Sequence, residues 1–152
     1  MKKKYIKIIM YTILLIFIDQ ISKLLVMSFL KDEIVFINNF FSFLFVKNYG
    51  AAFGLFGGNV LLLIAITCAL ICYLIYDIKI HINDKLNVIC SSLILSGAIG
   101  NLIDRIIYGY VIDFLDFNIF GYDYPIFNLA DSFIFVGVML IIIYTWRCEN
   151  GN

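Results

Sequence analysis

The chain has 152 residues, of which 63% are apolar and only 14% charged, and its mean hydropathy is +1.00. Soluble domains are roughly half apolar and about a quarter charged, so this composition leaves too little polar surface to clothe a water-exposed globule. Formal net charge is zero and no basic cluster alternates with aromatic residues, which argues against a nucleic-acid partner; an integral membrane protein is expected, as a single domain over residues 1–152.

A helix crossing a bilayer needs roughly 20 apolar residues. Four stretches qualify, at about residues 5–29, 60–76, 86–107 and 129–146. The first follows a lysine cluster, as a secretory signal peptide would. It is long, carries Asp19 and Lys23 and lacks a small-residue cleavage site, so an uncleaved span is expected. Between the first two spans, residues 34–46 are apolar but too short to cross, and Asn38 and Asn39 interrupt them. Their phenylalanines (Phe36, Phe40, Phe41, Phe43, Phe45) suit a strand pair or an interfacial segment with rings at headgroup level. The stretch from Tyr108 to Asn128, with Gly109, Gly121, Pro125 and three carboxylates, reads as a loop outside the bilayer core. Lysines gather before span one, Lys79 and Lys85 lie between spans two and three, and Arg147 follows span four. The positive-inside rule then places both termini in the cytoplasm and the two longer loops outside. The expected fold class is an all-α membrane protein of four transmembrane helices with a small extracytoplasmic β-rich or interfacial segment between helices one and two.

Ionisable groups at membrane depth are costly and are functional candidates by default. Asp19 and Lys23 are four residues apart and share a helix face; a structural ion pair explains them as well as a substrate role does. On span three, Gly97 and Gly100 permit close helix approach, while Asn101, Asp104 and Arg105 fall at helical spacing. Asp113 ends one loop segment and Asp131 opens span four. Two carboxylates brought together in a partly dry site cannot both ionise easily, and a half-protonated pair can act as base and acid at once. His81 reads as a solvated residue of the cytoplasmic loop. Cys68, Cys72, Cys90 and Cys148 read as small apolar fillers, without a CxxC pair. Gly50, Gly54, Gly57 and Gly58 lack the GK[ST] of a phosphate loop and read as tight turns near a ligand.

Four blocks together resemble the bacterial lipoprotein signal peptidase (signal peptidase II) family. Asp19-Gln20-Ile21-Ser22-Lys23 resembles its D-x-x-[ST]-K, and Asn48-Tyr49-Gly50-Ala51-Ala52-Phe53-Gly54 its N-x-G-A-A-[FW]-G. Residues 97–105, running on to Gly109 and Val111-Ile112-Asp113-Phe114, resemble its G-A-x-G-N-x-x-D-R…G-x-V-x-D-F. Pro125-Ile126-Phe127-Asn128-Leu129-Ala130-Asp131-Ser132 resembles its P-x-F-N-x-A-D-S.

The resemblance implies a metal-free, cofactor-free aspartic endopeptidase with Asp113 and Asp131 as catalytic residues. Asn48, Gly50, Asn101, Arg105 and Asn128 would bind substrate or orient the pair, with Asp104 supporting Arg105, and Asp19 and Lys23 stabilising the site. It implies cleavage of prolipoproteins before a diacylglyceryl cysteine, sensitivity to globomycin-type peptides, and a multi-pass protein of the bacterial cytoplasmic membrane. The active site is expected near the outer interface, the aromatic segment as a sheet cradling substrate, membrane lipids as surroundings and a monomer as the working unit. A small transporter or an inert scaffold would be the alternatives. Span two, however, has almost no polar residues and the carboxylates gather toward one side, which disfavours a polar path across the membrane.

Overall fold

The computed structural model describes residues 2–51 and 57–150, with side-chain surroundings for 4–51 and 57–147. Ala52, Phe53 and Gly54 of the glycine-containing motif, and the Cys148 side chain, therefore lie outside the described residues. Four long helices occupy the apolar stretches: α1 (Lys2–Phe29), α2 (Val60–Ile80), α3 (Lys85–Tyr108) and α4 (Leu129–Asn150). All four are long and apolar enough to cross a membrane. They run past the apolar stretches at their basic ends, which carry lysines in α1, α2 and α3 and Arg147 in α4, because backbone hydrogen bonding continues where the hydropathy signal stops. Asp84 caps α3, its Oδ1 accepting from the amides of Leu86 and Asn87 at 3.0 and 3.2 Å. His81 sits at the C-cap of α2, exposed, with Nδ1 2.9 Å from Asp77 Oδ1.

The most buried helix is α3, packed by α1, α2 and α4. Its two motif glycines allow this. A Cβ on Gly97 would collide with the carbonyl oxygen of Ala130 and lie 2.7 Å from Ile134 Cγ1, and one on Gly100 would lie 2.5 Å from Asp19 Oδ2. The face of α3 that carries both glycines is thus in close contact with α4 at Ala130 and, at Gly100, with Asp19 of α1, as small residues permit in membranes. Gly97→Val should destabilise the bundle by about 1–3 kcal/mol, the ordinary cost of overpacking. A thermal midpoint in detergent equal to wild type would show that α3 and α4 are not held this close.

The aromatic segment forms the strand pair β1 (Ile34–Ile37) and β2 (Phe41–Asn48). The sheet is larger than the sequence reading allowed. Residues assigned there to a loop form β3 (Val111–Ile119) and β4 (Tyr122–Asp123), giving an antiparallel order β1-β2-β3-β4. The expected β segment between helices one and two is therefore only half of it. Alternation failed as a signal because Val111 to Phe114 are all buried, so no polar face marks the strand; enrichment in Val, Ile and Phe was the remaining clue. A register shift between Phe43 and Val46 interrupts the β2–β3 ladder just where Val46 pairs with Asp113. Such irregularities re-aim side chains near functional sites.

Candidate active site

Each carboxylate of the candidate pair is delivered by a local backbone device. Asp113 lies on β3, opposite Val46, and is 1% exposed. Asn48, two residues along β2 from Val46, shares that face of the sheet and donates from Nδ2 to Asp113 Oδ2 at 2.8 Å. Asp131 lies in the first turn of α4. The Asp131 amide donates to Asn128 Oδ1 at 2.9 Å, and Asp131 Oδ2 accepts from the Asn128 amide at 3.3 Å. This is a reciprocal capping box with aspartate in the third position. Phe127 is stitched to β3 by hydrogen bonds with Phe114 and Leu115, which brings the α4 cap beside Asp113.

Two amide side chains then link the carboxylates. Asn128 Nδ2 donates to Asp113 Oδ1 at 2.6 Å and lies 3.2 Å from Asn101 Oδ1. Asn101 Nδ2 donates to Asp131 Oδ1 at 2.7 Å, and Asn101 Oδ1 accepts from Lys23 Nζ at 3.0 Å. Burial pushes the Asp113 carboxyl from 3.8 up to about 7, with the nearby Asp131 carboxylate adding to the rise; amide hydrogen bonds from Asn48 and Asn128 pull it part of the way back.

Lys23, 1% exposed, holds the support beneath. Its Nζ lies 2.9 Å from Asp19 Oδ2 and 2.9 Å from Asp104 Oδ2. Asp19 Oδ1 accepts from the Ala130 amide at 2.9 Å, satisfying one of the donors that a helix start leaves free. Asp104 Oδ2 accepts from the Ile112 amide at 3.1 Å, pinning β3 one residue before Asp113. Asp104 and Arg105 are adjacent on α3 but take different hydrogen-bond partners. Neighbours on a helix point about 100° apart: Asp104 faces α1, and Arg105 faces the cavity, donating from Nη2 to Gly50 O at 3.1 Å. Gly50 in turn donates its amide to Asn48 Oδ1 at 2.9 Å.

Asp113, Asp131, Asn48, Gly50, Asn101 and Arg105 all line one cavity of about 770 Å³. Asn128, Asp19, Lys23 and Asp104 lie behind its wall, buried. Sequence reasoning missed Gln20, whose Nε2 donates to Asp104 Oδ1 at 3.0 Å and also reaches Asp19 and the Gly100 carbonyl. It also missed Ile134, Phe135 and Val138, which continue the cavity along α4. A signal for these was present, since they stand three, four and seven residues beyond Asp131, on one helix face.

Against this geometry, the family model described as Signal peptidase (SPase) II matches residues 11–147. The chain belongs to the signal peptidase II family. It is 43% identical over 141 residues to a lipoprotein signal peptidase of Halothermothrix orenii, covering 91% of this chain and 94% of that protein. It is 44% identical over 147 residues to one of Clostridium tetani, covering 94% of each. A solved bacterial membrane enzyme is 35% identical with a TM-score of 0.86, over 96% of this chain and 91% of the other. A second is 37% identical with a TM-score of 0.79, over 91% and 92%. As a signal peptidase II with four span-length apolar helices, the chain is a peptidase and a multi-pass membrane protein.

Proposed function

We propose that this signal peptidase II is an aspartic endopeptidase in which Asp113 and Asp131 activate water between them. The observation that carries the reading is the linkage of the buried Asp113 carboxylate and the half-buried Asp131 carboxylate through the Asn101 and Asn128 amides at the wall of one cavity. At working pH the pair holds one proton. The ionised member takes a proton from water, and the resulting hydroxide attacks the scissile carbonyl. The protonated member gives its proton to the carbonyl oxygen; on collapse of the tetrahedral intermediate the now ionised member takes a hydroxyl proton back, and the amine leaves with the proton that the first aspartate had taken from water. Asn48, Asn101 and Asn128 orient the carboxylates. Arg105 spends one of its five donors on Gly50 and directs its charge at the cavity, where it would hold a substrate carbonyl. Lys23, Asp19 and Asp104 position this constellation without touching substrate.

The substrate class we assign is a prolipoprotein bearing a diacylglyceryl cysteine, cut just before that cysteine. The related proteins from Halothermothrix orenii and Clostridium tetani are lipoprotein signal peptidases. The apolar extension past Ile134, Phe135 and Val138 would accept an acyl chain. Lysines gather at the far end of the bundle, so the positive-inside rule puts that end and both termini in the cytoplasm and the cavity near the outer interface. The sheet then lies on the outer side of a bacterial cell membrane. Globomycin-type peptides, mimicking the substrate's end, should inhibit, and a monomer contains every residue invoked.

The pH dependence tests the shared proton. Asp113 is raised to about 7, so the proton that serves as acid is present below that value and lost above it. With the pair titrating as a unit, kcat/KM should fall about tenfold per pH unit on the alkaline side of a limb centred near 7. A profile that stays flat from about pH 6 to about pH 9 would exclude the shared-proton mechanism.

A further inference from the structure

A second cavity, of about 640 Å³, lies between the first half of α1 and the first half of α3, at the end of the bundle remote from the carboxylates. Lys4 stands roughly 28 Å along α1 from Lys23, about one hydrocarbon thickness away. Three cations, Lys4, Lys7 and Lys85, line it, and among the described residues no carboxylate does. The nearest acidic residue in sequence, Asp84, is occupied elsewhere: Oδ1 caps α3 and Oδ2 accepts from Tyr144 at 3.2 Å. Lys4 donates to Asn83 Oδ1 at 3.0 Å; among the described residues neither Lys7 nor Lys85 has a carboxylate partner. Beyond the lysines the lining is apolar apart from Tyr11 and Ser92, whose hydroxyl donates to Val88 O within α3. From Lys4 to Leu15 it runs about 16 Å at helical rise, close to the depth of one leaflet. Tyr11, Leu14 and Ile89 are more than half exposed, so the groove opens sideways toward lipid.

We propose that this groove binds one anionic phospholipid of the leaflet opposite the catalytic cavity. Its phosphate lies among Lys4, Lys7 and Lys85, and an acyl chain lies along Leu14, Leu15 and Leu93. Charge complementarity selects the headgroup, and the leaflet-deep apolar run selects a lipid over a soluble anion. The site stands independently of the peptidase chemistry.

Native mass spectrometry of the purified full chain, given equal amounts of phosphatidylglycerol and phosphatidylcholine with matched acyl chains, tests it. Wild type should retain phosphatidylglycerol at least about tenfold over phosphatidylcholine. Lys4→Gln/Lys7→Gln/Lys85→Gln should bring the ratio near unity at an unchanged thermal midpoint in neutral detergent. Lys79→Gln, a charge removed at the same end but outside the groove, should keep the preference, and Leu14→Trp should lower retention of both lipids. Equal retention by wild type, a preference surviving in the triple variant, or equal loss in Lys79→Gln would overturn the proposal. So would displacement of the lipid by millimolar glycerol phosphate, which would mark a site for soluble phosphate.

Discussion

Asp113→Asn and Asp131→Asn should each reduce kcat by at least about 10³-fold while leaving a folded protein. Positioned acid–base groups contribute roughly 10²–10⁴-fold, and members of a cooperating unit are lost together when one is removed. The amide is isosteric and removes only the charge and one acceptor. Asp131→Asn can keep the oxygen that accepts from the Asn128 amide and so the α4 cap, and then gives up the bond from Asn101. Asn48 and Asn128 donate to different oxygens of Asp113, so Asp113→Asn keeps an acceptor for one of them and turns an NH2 toward the other, which the thermal midpoint must show to be tolerated. Neither variant can share a single proton between two carboxyl groups. Single-turnover rates with thermal midpoints in the same detergent would measure this. A folded variant within about threefold of the wild-type rate would remove that aspartate from the chemistry, given the size of a true acid–base contribution.

Lys23→Met should produce the largest loss of stability. Lys23 Nζ touches Asp19, Asp104 and Asn101, each at 2.9–3.0 Å, and both aspartates are fully buried. Removing the cation leaves two buried carboxylates facing each other with only neutral donors, and breaking a buried pair this way costs about 3–5 kcal/mol. Asp19 also caps α4 through Ala130, and Asp104 anchors β3 through Ile112. The damage should therefore spread to both elements that carry the catalytic pair. Adding Asp19→Asn to Lys23→Met should recover part of the loss, because one uncompensated charge disappears. Unfolding in detergent reads this directly. A wild-type midpoint for Lys23→Met would show that the aspartates are held neutral and need no cation.

The helices were legible because hydropathy over some twenty residues is a strong, local signal, and the membrane-depth polar groups stood out for the same reason. The close approach at Gly97 and Gly100 was also legible, since a missing side chain inside an apolar span has few other uses. The β3 strand was not: its first four residues are buried on both faces, and its carboxylates and flanking glycines resemble a loop. Helical spacing correctly grouped Asp19 with Lys23. It could not reveal that Lys23 bridges to Asp104 across two helices, because pairing between elements is set by packing and not by period. The Asn128–Asp131 capping box could be read from four consecutive residues. The link from Asn128 to Asp113 depends on Phe127 joining β3, which no local pattern announces.

The central claim is most directly tested by incubating the purified protein, with a metal chelator present, with one prolipoprotein in two forms, diacylglyceryl-modified at its cysteine and unmodified, and reading the new N-terminus by mass spectrometry. The account predicts a single cut immediately before the modified cysteine, undiminished by the chelator, and little or none in the unmodified form. Cleavage elsewhere, equal cleavage of both forms, or loss of activity on chelation would contradict it.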